Sequence, residues 1–267
     1  RIGAGLRPSE ALVIEEILKG TRTGLKARLI ATLTSKTYGL STGEEHLENC
    51  FKVLTNNFAR NQSERKMFEH AVFIEKDDAG DWRAAAAFVA ALEAHDDFRH
   101  HLADLVAFVK DRYLKRYSAR YRDTAFKLYE RYTYDDVCRL LNWKSNMPAT
   151  NIGGYRYDSD TRTLPVFINY DKAEGDINYH DHFESPREII ALSKTNRSTK
   201  SSDADHIYKR TERDRDNRIY LFVRKNKNDN EAKSFYFLGE VSAQDDPTPI
   251  KIDADKPAFE IRYRLDE

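Results

Sequence analysis

The feature that most constrains this chain is an abrupt change of periodicity near Tyr129. Upstream, apolar residues recur at helical spacing, and no proline falls between Pro8 and Pro148. Downstream lie six of the seven prolines, with β-branched and aromatic runs such as TLPVFINY and RIYLFVRK set between polar turns. A pattern of period 3.6 and a pattern of period 2 bury their apolar sides in different ways, so the two stretches call for different architectures. At 267 residues and 40% apolar content the chain can bury one large core or two smaller ones. The expectation is an α+β protein with a helical part over 1–128 and a β-rich part over 129–267.

In the first part, Ser9 and Glu10 precede Ala11, Leu12, Ile14, Ile17 and Leu18, a capped helix ending at Gly20. Further helices are expected over 24–38, from a Thr42/Glu45 capping box, and over 63–72. Trp82 to Tyr117 reads as two helices broken near His95 to Asp97. Phe108, Tyr113, Tyr117 and Tyr121 form an aromatic stripe among cations, better suited to core packing than to nucleic-acid contact. No phosphate loop, HExxH or GxSxG motif occurs here. His100 and His101 are adjacent, about 100° apart on a helix, which disfavours a shared metal. YTYDDVCRLLNW then behaves as a joint: Thr133 as N-cap, Asp135 and Asp136 in the first turn, and Trp143 as an anchor.

Formal net charge is zero, so no global field draws the protein to nucleic acid. Locally, 187–227 carries 12 Lys/Arg against 6 Asp/Glu and 110–131 carries 8 against 3. Such segments suit a phosphate-binding face, or solvated faces balanced by acids elsewhere. Cys50 and Cys138 sit in apolar helical patterns, as small buried side chains in a reducing, cytoplasmic setting. No apolar run approaches the roughly 20 residues of a membrane span, and no signal peptide is visible. The chain begins with Arg1 rather than Met, which suggests a fragment of a longer protein.

The chemistry concentrates in 151–202, NIGGYRYDSDTRTLPVFINYDKAEGDINYHDHFESPREIIALSKTNRSTKSS. Aromatics, short polar side chains and cations alternate there, a mixture able to hold a planar hydrogen-bonding ligand beside phosphates. Together with YTYDDVCRLLNW, the ordered blocks NIGGY, LPVFINYDK, YHDHFESPREIIALSKTNRS, IYLFVRK and FYFLGEV resemble the carboxy-terminal domain of SauUSI-type modification-dependent (type IV) restriction enzymes. The likeness runs from about Tyr129 to the end, and more loosely over the helical part. In that family a phospholipase-D-like nuclease and a superfamily II helicase precede the domain.

The resemblance implies an SRA-like, PUA-related mixed β-barrel that reads 5-methylcytosine or 5-hydroxymethylcytosine in double-stranded DNA. It implies a recognition module without catalysis or cofactor of its own, ATP and divalent metal serving the upstream helicase and nuclease domains of the parent. Extruding a base costs a few kcal/mol and requires a pocket with aromatic faces, an acceptor for the exocyclic amine and apolar room for the methyl group. Tyr155, Tyr157, Tyr170, Tyr179 and Phe183 are candidate stacking partners, each stack contributing about 1–3 kcal/mol. Asp181 is the candidate amine acceptor, with Asn169 and Asn151 as polar partners. Gly153 and Gly154 permit close backbone approach or a plain turn. Ser193, Lys194, Arg197, Ser198, Lys200 and Ser201 are the candidate phosphate contacts, and Lys209, Arg210, Arg224, Lys225 and Lys227 secondary ones.

Each assignment has a structural rival. Strand aromatics commonly build core, Asp181 could cap the turn into Ser185 and Pro186, and the SKTNRSTKSS stretch could be a plain polar loop. His180 and His182 could suggest a metal, but two ligands without a third do not make a site. KNKNDNEAKS reads as a hairpin tip whose charge blunts a sheet edge. Two other functions stay open: an RNA- or protein-binding adaptor on the same barrel, and a base-modifying enzyme.

Overall fold

The computed structural model describes residues 1–148, 152, 154–170, 181–225, 233–252 and 255–266. Asn151, Gly153, Tyr179, His180, Lys227 and the expected hairpin tip lie outside the described residues. The chain divides into two units, 1–125 with 138–146, and 126–137 with 147–267. The architecture is α+β, a helical unit and a unit built on one curled sheet.

The first unit contains α1 (Ser9–Leu18), α2 (Ala27–Tyr38), α3 (Glu44–Leu54), α4 (Gln62–Met67), a short hairpin of β1 (Ile74–Lys76) and β2 (Trp82–Ala84), α5 (Ala86–Ala94) and α6 (Asp96–Arg112). Its core is aliphatic, with Val13, Ile14, Ile17, Leu25, Ile30, Leu54, Leu92 and Val106 buried together. Cys50 and Cys138 are buried. His95 does separate two helices, lying in extended backbone between Ala94 and Asp96.

Three sequence expectations need correction here. Ser9 is not the cap of α1: Pro8 holds that position, and the Ser9 hydroxyl instead lies 2.7 Å from His46 Nε2. Gly43, not Thr42, caps α3 and makes no side-chain bond. Trp82 opens a strand rather than a helix, because Asp77 Oδ1 accepts from the backbone N–H groups of Ala79 and Asp81 while Gly80 turns at φ +83°. That turn folds Trp82 back antiparallel to Lys76, with its ring stacked on Phe51 at 4.8 Å. Within α6 Phe108 is exposed, while just beyond it Tyr113 and Tyr117 are buried, so the aromatic stripe is divided between core and surface.

The second unit begins with β3 (Arg131–Thr133) and α7 (Tyr134–Leu140), whose last residues belong to the first unit. Thr133 caps α7 as its pattern predicts. Its Oγ1 accepts from Asp136 N at 3.2 Å, and Asp136 Oδ2 accepts in return from Thr133 N and Oγ1 at 2.9 and 2.7 Å. Trp143 is fully buried, so it offers no stacking surface.

There follow β4 (Thr163–Asn169), β5 (His182–Ser185), β6 (Glu188–Leu192), α8 (Ser202–Tyr208), β7 (Arg218–Arg224), β8 (Ser234–Ile252) and β9 (Lys256–Leu265). The strand order is β4-β7-β8-β9-β6-β5, with β3 also paired to β8. Among the described residues, β4 and β7 are the one parallel pair, and both are buried along almost their whole length, as strands covered on two faces must be. One face carries Leu164, Val166, Ile168, Ile219, Leu221 and Val223 into a core with Phe259, Ile261 and two α8 residues, Ala204 and Ile207. The other carries Phe167 and Phe222 into an aromatic cluster with Phe126, Tyr132, Tyr134, Phe235 and Phe237, rings 4.5–6.5 Å apart. Much of the aromatic wealth of this half is therefore packing.

Candidate functional site

Strands β4 and β6 have three strands between them in the sheet order, yet both line one cavity of about 500 Å³. The sheet can bring them together only by curling, which its right-handed twist and the irregular β8 register between Gln244 and Thr248 promote. The cavity takes Val166, Phe167, Ile168 and Asn169 from β4, Ala191 and Leu192 from β6, Ile261 and Tyr263 from β9, and the loop residues Ser193, Lys194 and Thr195. Gly154, Tyr155 and Asp181 complete the wall. Its size falls within the range that holds small organic ligands.

The polar groups have defined orientations. Asn169 Oδ1 accepts from Arg224 Nε at 2.6 Å, so the Asn169 amide nitrogen is the end left to donate. The same guanidinium lies 4.3 Å from the Phe235 ring centroid. Asp181 Oδ1 accepts from Leu192 N at 3.0 Å, which fixes the carboxylate beside β6 rather than over the turn at Ser185. Tyr155 is buried, and its phenol donates to Asp203 Oδ2 at 2.7 Å while Lys194 N donates to it at 3.3 Å. The Tyr263 hydroxyl, on a fully buried side chain, has no hydrogen-bond partner among the described residues. Gly154 turns at φ +89° and its carbonyl accepts from Phe167 N at 2.6 Å, holding the 154–158 stretch along the β4 edge.

Of the sequence-nominated base contacts, the cavity thus unites Tyr155, Asn169 and Asp181. Tyr157 is elsewhere, its hydroxyl donating to Asn217 Oδ1 at 3.0 Å and its ring stacked 4.0 Å from His206 in a neighbouring cleft. Tyr170 and Phe183 do not line the cavity; they are exposed, their rings packed edge to face at 6.0 Å. Asn151 and Tyr179 fall outside the described residues.

Among the nominated phosphate contacts, Ser193 needs correction. It is 1% exposed, and its hydroxyl accepts from Phe259 N at 2.9 Å and donates to the Lys194 carbonyl at 3.2 Å, so it joins β9 to the loop instead of facing solvent. Lys194 is half-buried, its Nζ 4.9 Å from the Tyr155 ring centroid. Arg197 pairs with Asp203 at 2.9 Å. Ser198 and Lys200 are exposed, and Ser201 precedes α8 with its hydroxyl donating to the Ser198 carbonyl at 2.7 Å. Of the secondary cations, Lys209 and Lys225 are exposed, while Arg210 donates to the Thr199 carbonyl at 2.5 Å.

Sequence reasoning missed Arg156, Asp203, His206 and Tyr263. The first three converge with Tyr155, Tyr157, Lys194 and Arg197 on the neighbouring cleft of about 180 Å³. Among the described residues, no three His, Cys, Asp or Glu side chains are arranged to hold a metal ion, and no helix is long and apolar enough to cross a membrane.

A family model described as Domain of unknown function (DUF3427) matches residues 126–267, and one described as Domain of unknown function (DUF8090) matches residues 1–116. No curated protein matches the sequence. A solved structure described as the sulfur binding domain and SRA domain of ScoMcrA complexed with phosphorothioated DNA is 12% identical, covering 97% of this chain and 84% of that one, with a TM-score of 0.35. A likeness that loose carries no argument about what this chain binds.

Proposed function

The chain belongs to the DUF3427 family, and from that premise we propose that its sheet unit reads double-stranded DNA by receiving an extruded cytosine modified at carbon five. One observation carries this reading. A cavity of about 500 Å³ sets a carboxylate, Asp181, and an amide donor, Asn169, beside the apolar atoms of Val166, Ile168, Ala191 and Ile261, with the Tyr155 side chain as part of its wall. A carboxylate accepts from the cytosine exocyclic amine and an amide N–H donates to its ring carbonyl, while a methyl or hydroxymethyl group requires apolar room. The few kcal/mol spent on extrusion are offset by these contacts.

In this reading the chain binds and does not cleave, and needs no cofactor of its own. ATP, divalent metal and strand cleavage belong to the helicase and nuclease modules that precede such a domain in the SauUSI-type enzymes that 129–267 resembles. The helical unit, 1–125 with 138–146, links the reader to those modules.

The test is equilibrium binding at one stated salt concentration to duplexes differing only at one cytosine: unmodified, 5-methyl or 5-hydroxymethyl. Preferential binding of a modified duplex, lost in Asp181→Ala, is expected. Equal binding of all three duplexes overturns the base reading, and tighter binding of a matched RNA than of any duplex favours an RNA adaptor.

A further inference from the structure

The neighbouring cleft holds an imbalance of charge that the fold does not resolve. Arg156, Lys194 and Arg197 line it together with one acid, Asp203. That carboxylate is occupied: Oδ2 takes both the Arg197 guanidinium at 2.9 Å and the Tyr155 phenol at 2.7 Å. His206, also in the wall, has its own acid, Asp214 Oδ1 at 2.7 Å. Arg156 and Lys194 have no carboxylate within ion-pairing distance among the described residues. Burial, with Arg156 and Arg197 as like-charged neighbours, holds the Lys194 ammonium below its usual range despite the attraction of Asp203. A half-buried ammonium such as that of Lys194 is costly to hold charged without a close counter-charge, and an anion in the cleft offsets that cost.

The cleft is also placed with respect to the cavity. Tyr155 and Lys194 line both, so the ring and the ammonium above it form a shared wall. A nucleoside and its phosphate are joined by a short tether, and two adjoining sites, one polar and apolar, one cationic, match its two chemistries.

We infer that the cleft of Arg156, Lys194 and Arg197 seats one backbone phosphodiester flanking the nucleotide whose base enters the cavity. This rests on the proposed base cavity. The exposed Arg156 supplies a guanidinium able to take two phosphate oxygens. Lys194 adds a point charge at the boundary between the two sites, and Arg197, oriented by Asp203, closes the third side. Selectivity for a nucleotide in duplex DNA then comes from one rigid wall measuring the distance from base to phosphate.

The test is a cycle between protein charge and DNA charge. Duplexes carrying one modified cytosine are prepared with a neutral methylphosphonate in place of the phosphodiester immediately 5′ of it, immediately 3′ of it, or several nucleotides away. In the unaltered chain, neutralising one of the two adjacent positions is expected to weaken binding about tenfold, and the distant substitution to do much less. In Arg156→Gln, and separately in Lys194→Met, which keeps the stem over Tyr155, that adjacent substitution is expected to cost almost nothing further. Independent, additive losses in both variants overturn the assignment. Repeating the cycle with unmodified cytosine separates the two readings. Coupling without discrimination between duplexes leaves the phosphate seat standing and removes the base cavity; discrimination without coupling does the reverse.

Discussion

The Tyr155 phenol donates to Asp203 Oδ2 at 2.7 Å across 48 residues of sequence. The bond ties the stretch along β4 to α8, and the Lys194 N–H joins the same phenol at 3.3 Å. Burial and the facing Asp203 carboxylate drive the phenol's pKa strongly upward, so Tyr155 remains a donor. Tyr155→Phe leaves a buried N–H and a carboxylate short of one partner and is expected to cost about 1–2 kcal/mol. Urea unfolding should show a lowered midpoint at unchanged m. No loss of stability would mean that the sheet closes through its apolar core alone.

Asp181 carries two duties that substitutions can separate. Its Oδ1 accepts from Leu192 N at 3.0 Å, and in the proposed complex the carboxylate accepts from the cytosine amine. Asp181→Asn retains an oxygen for Leu192 but replaces part of the acceptor edge with a donor. The expected result is a stability change under about 1 kcal/mol with loss of most of the preference for modified cytosine, read by denaturation and by duplex binding side by side. A strong preference retained in this variant would assign the carboxylate to the backbone alone.

Tyr170 and Phe183 form an exposed edge-to-face pair, 43% and 39% accessible. Rings so exposed contribute little to folding, and surface substitutions of this kind fall within about 0.5 kcal/mol. On an opened duplex the same rings can stack, for about 1–3 kcal/mol per base. Tyr170→Ala and Phe183→Ala should therefore weaken binding to modified and unmodified duplexes alike while the melting temperature holds. A loss confined to the modified duplex would return these rings to the base-reading surface.

The passage from helices to sheet was legible because it depends on periodicity: helical spacing before Tyr129 and strand runs such as TLPVFIN after it. So was the Thr133 cap, whose partner Asp136 lies three residues away. The site was legible only in part. Tyr155, Asn169 and Asp181 stood out by chemistry, but nothing local distinguishes Tyr155, which faces the cavity, from Tyr157, which stacks on His206. Asn169 is oriented by Arg224 through the parallel register of β4 and β7, and Ser193 is buried by pairing with Phe259. Asp203 and Arg156 acquire meaning only when the sheet curls. These are consequences of long-range topology, and a residue's immediate neighbours do not encode them. The turn at Asp77 to Asp81 was different, since DDAG carried a local signal for a hairpin that helical periodicity masked.

A buried ionic cluster makes the helical unit sensitive to acid. Arg7 and Glu10 pair beside Arg139, all three almost wholly inaccessible, and Arg7 also donates to Asn49 Oδ1 at 2.9 Å. Burial alone would raise the Glu10 pKa, but Arg7 and Arg139 outweigh it and lower it to about 2. Glu10→Gln removes the carboxylate charge that faces two buried guanidiniums and is expected to cost about 3–5 kcal/mol. Nearby His46 is lowered from 6.5 to about 3, by burial first and by the Arg7 charge second. Because the unfolded chain then binds the proton more readily, the His46 contribution is complete above pH 6.5 and is lost as pH falls towards 3. Glu10 adds its own loss only between its unfolded value of 4.5 and about 2. From pH 6.5 down to 4.5 the unfolding free energy should therefore fall by up to about 1.4 kcal/mol per pH unit on account of His46, an upper bound since its ring is partly exposed. Urea titrations across that window should show the slope flattened in His46→Gln and kept in the unaltered chain. Stability that rises on acidification there would place His46 among groups that bind their proton in the folded state.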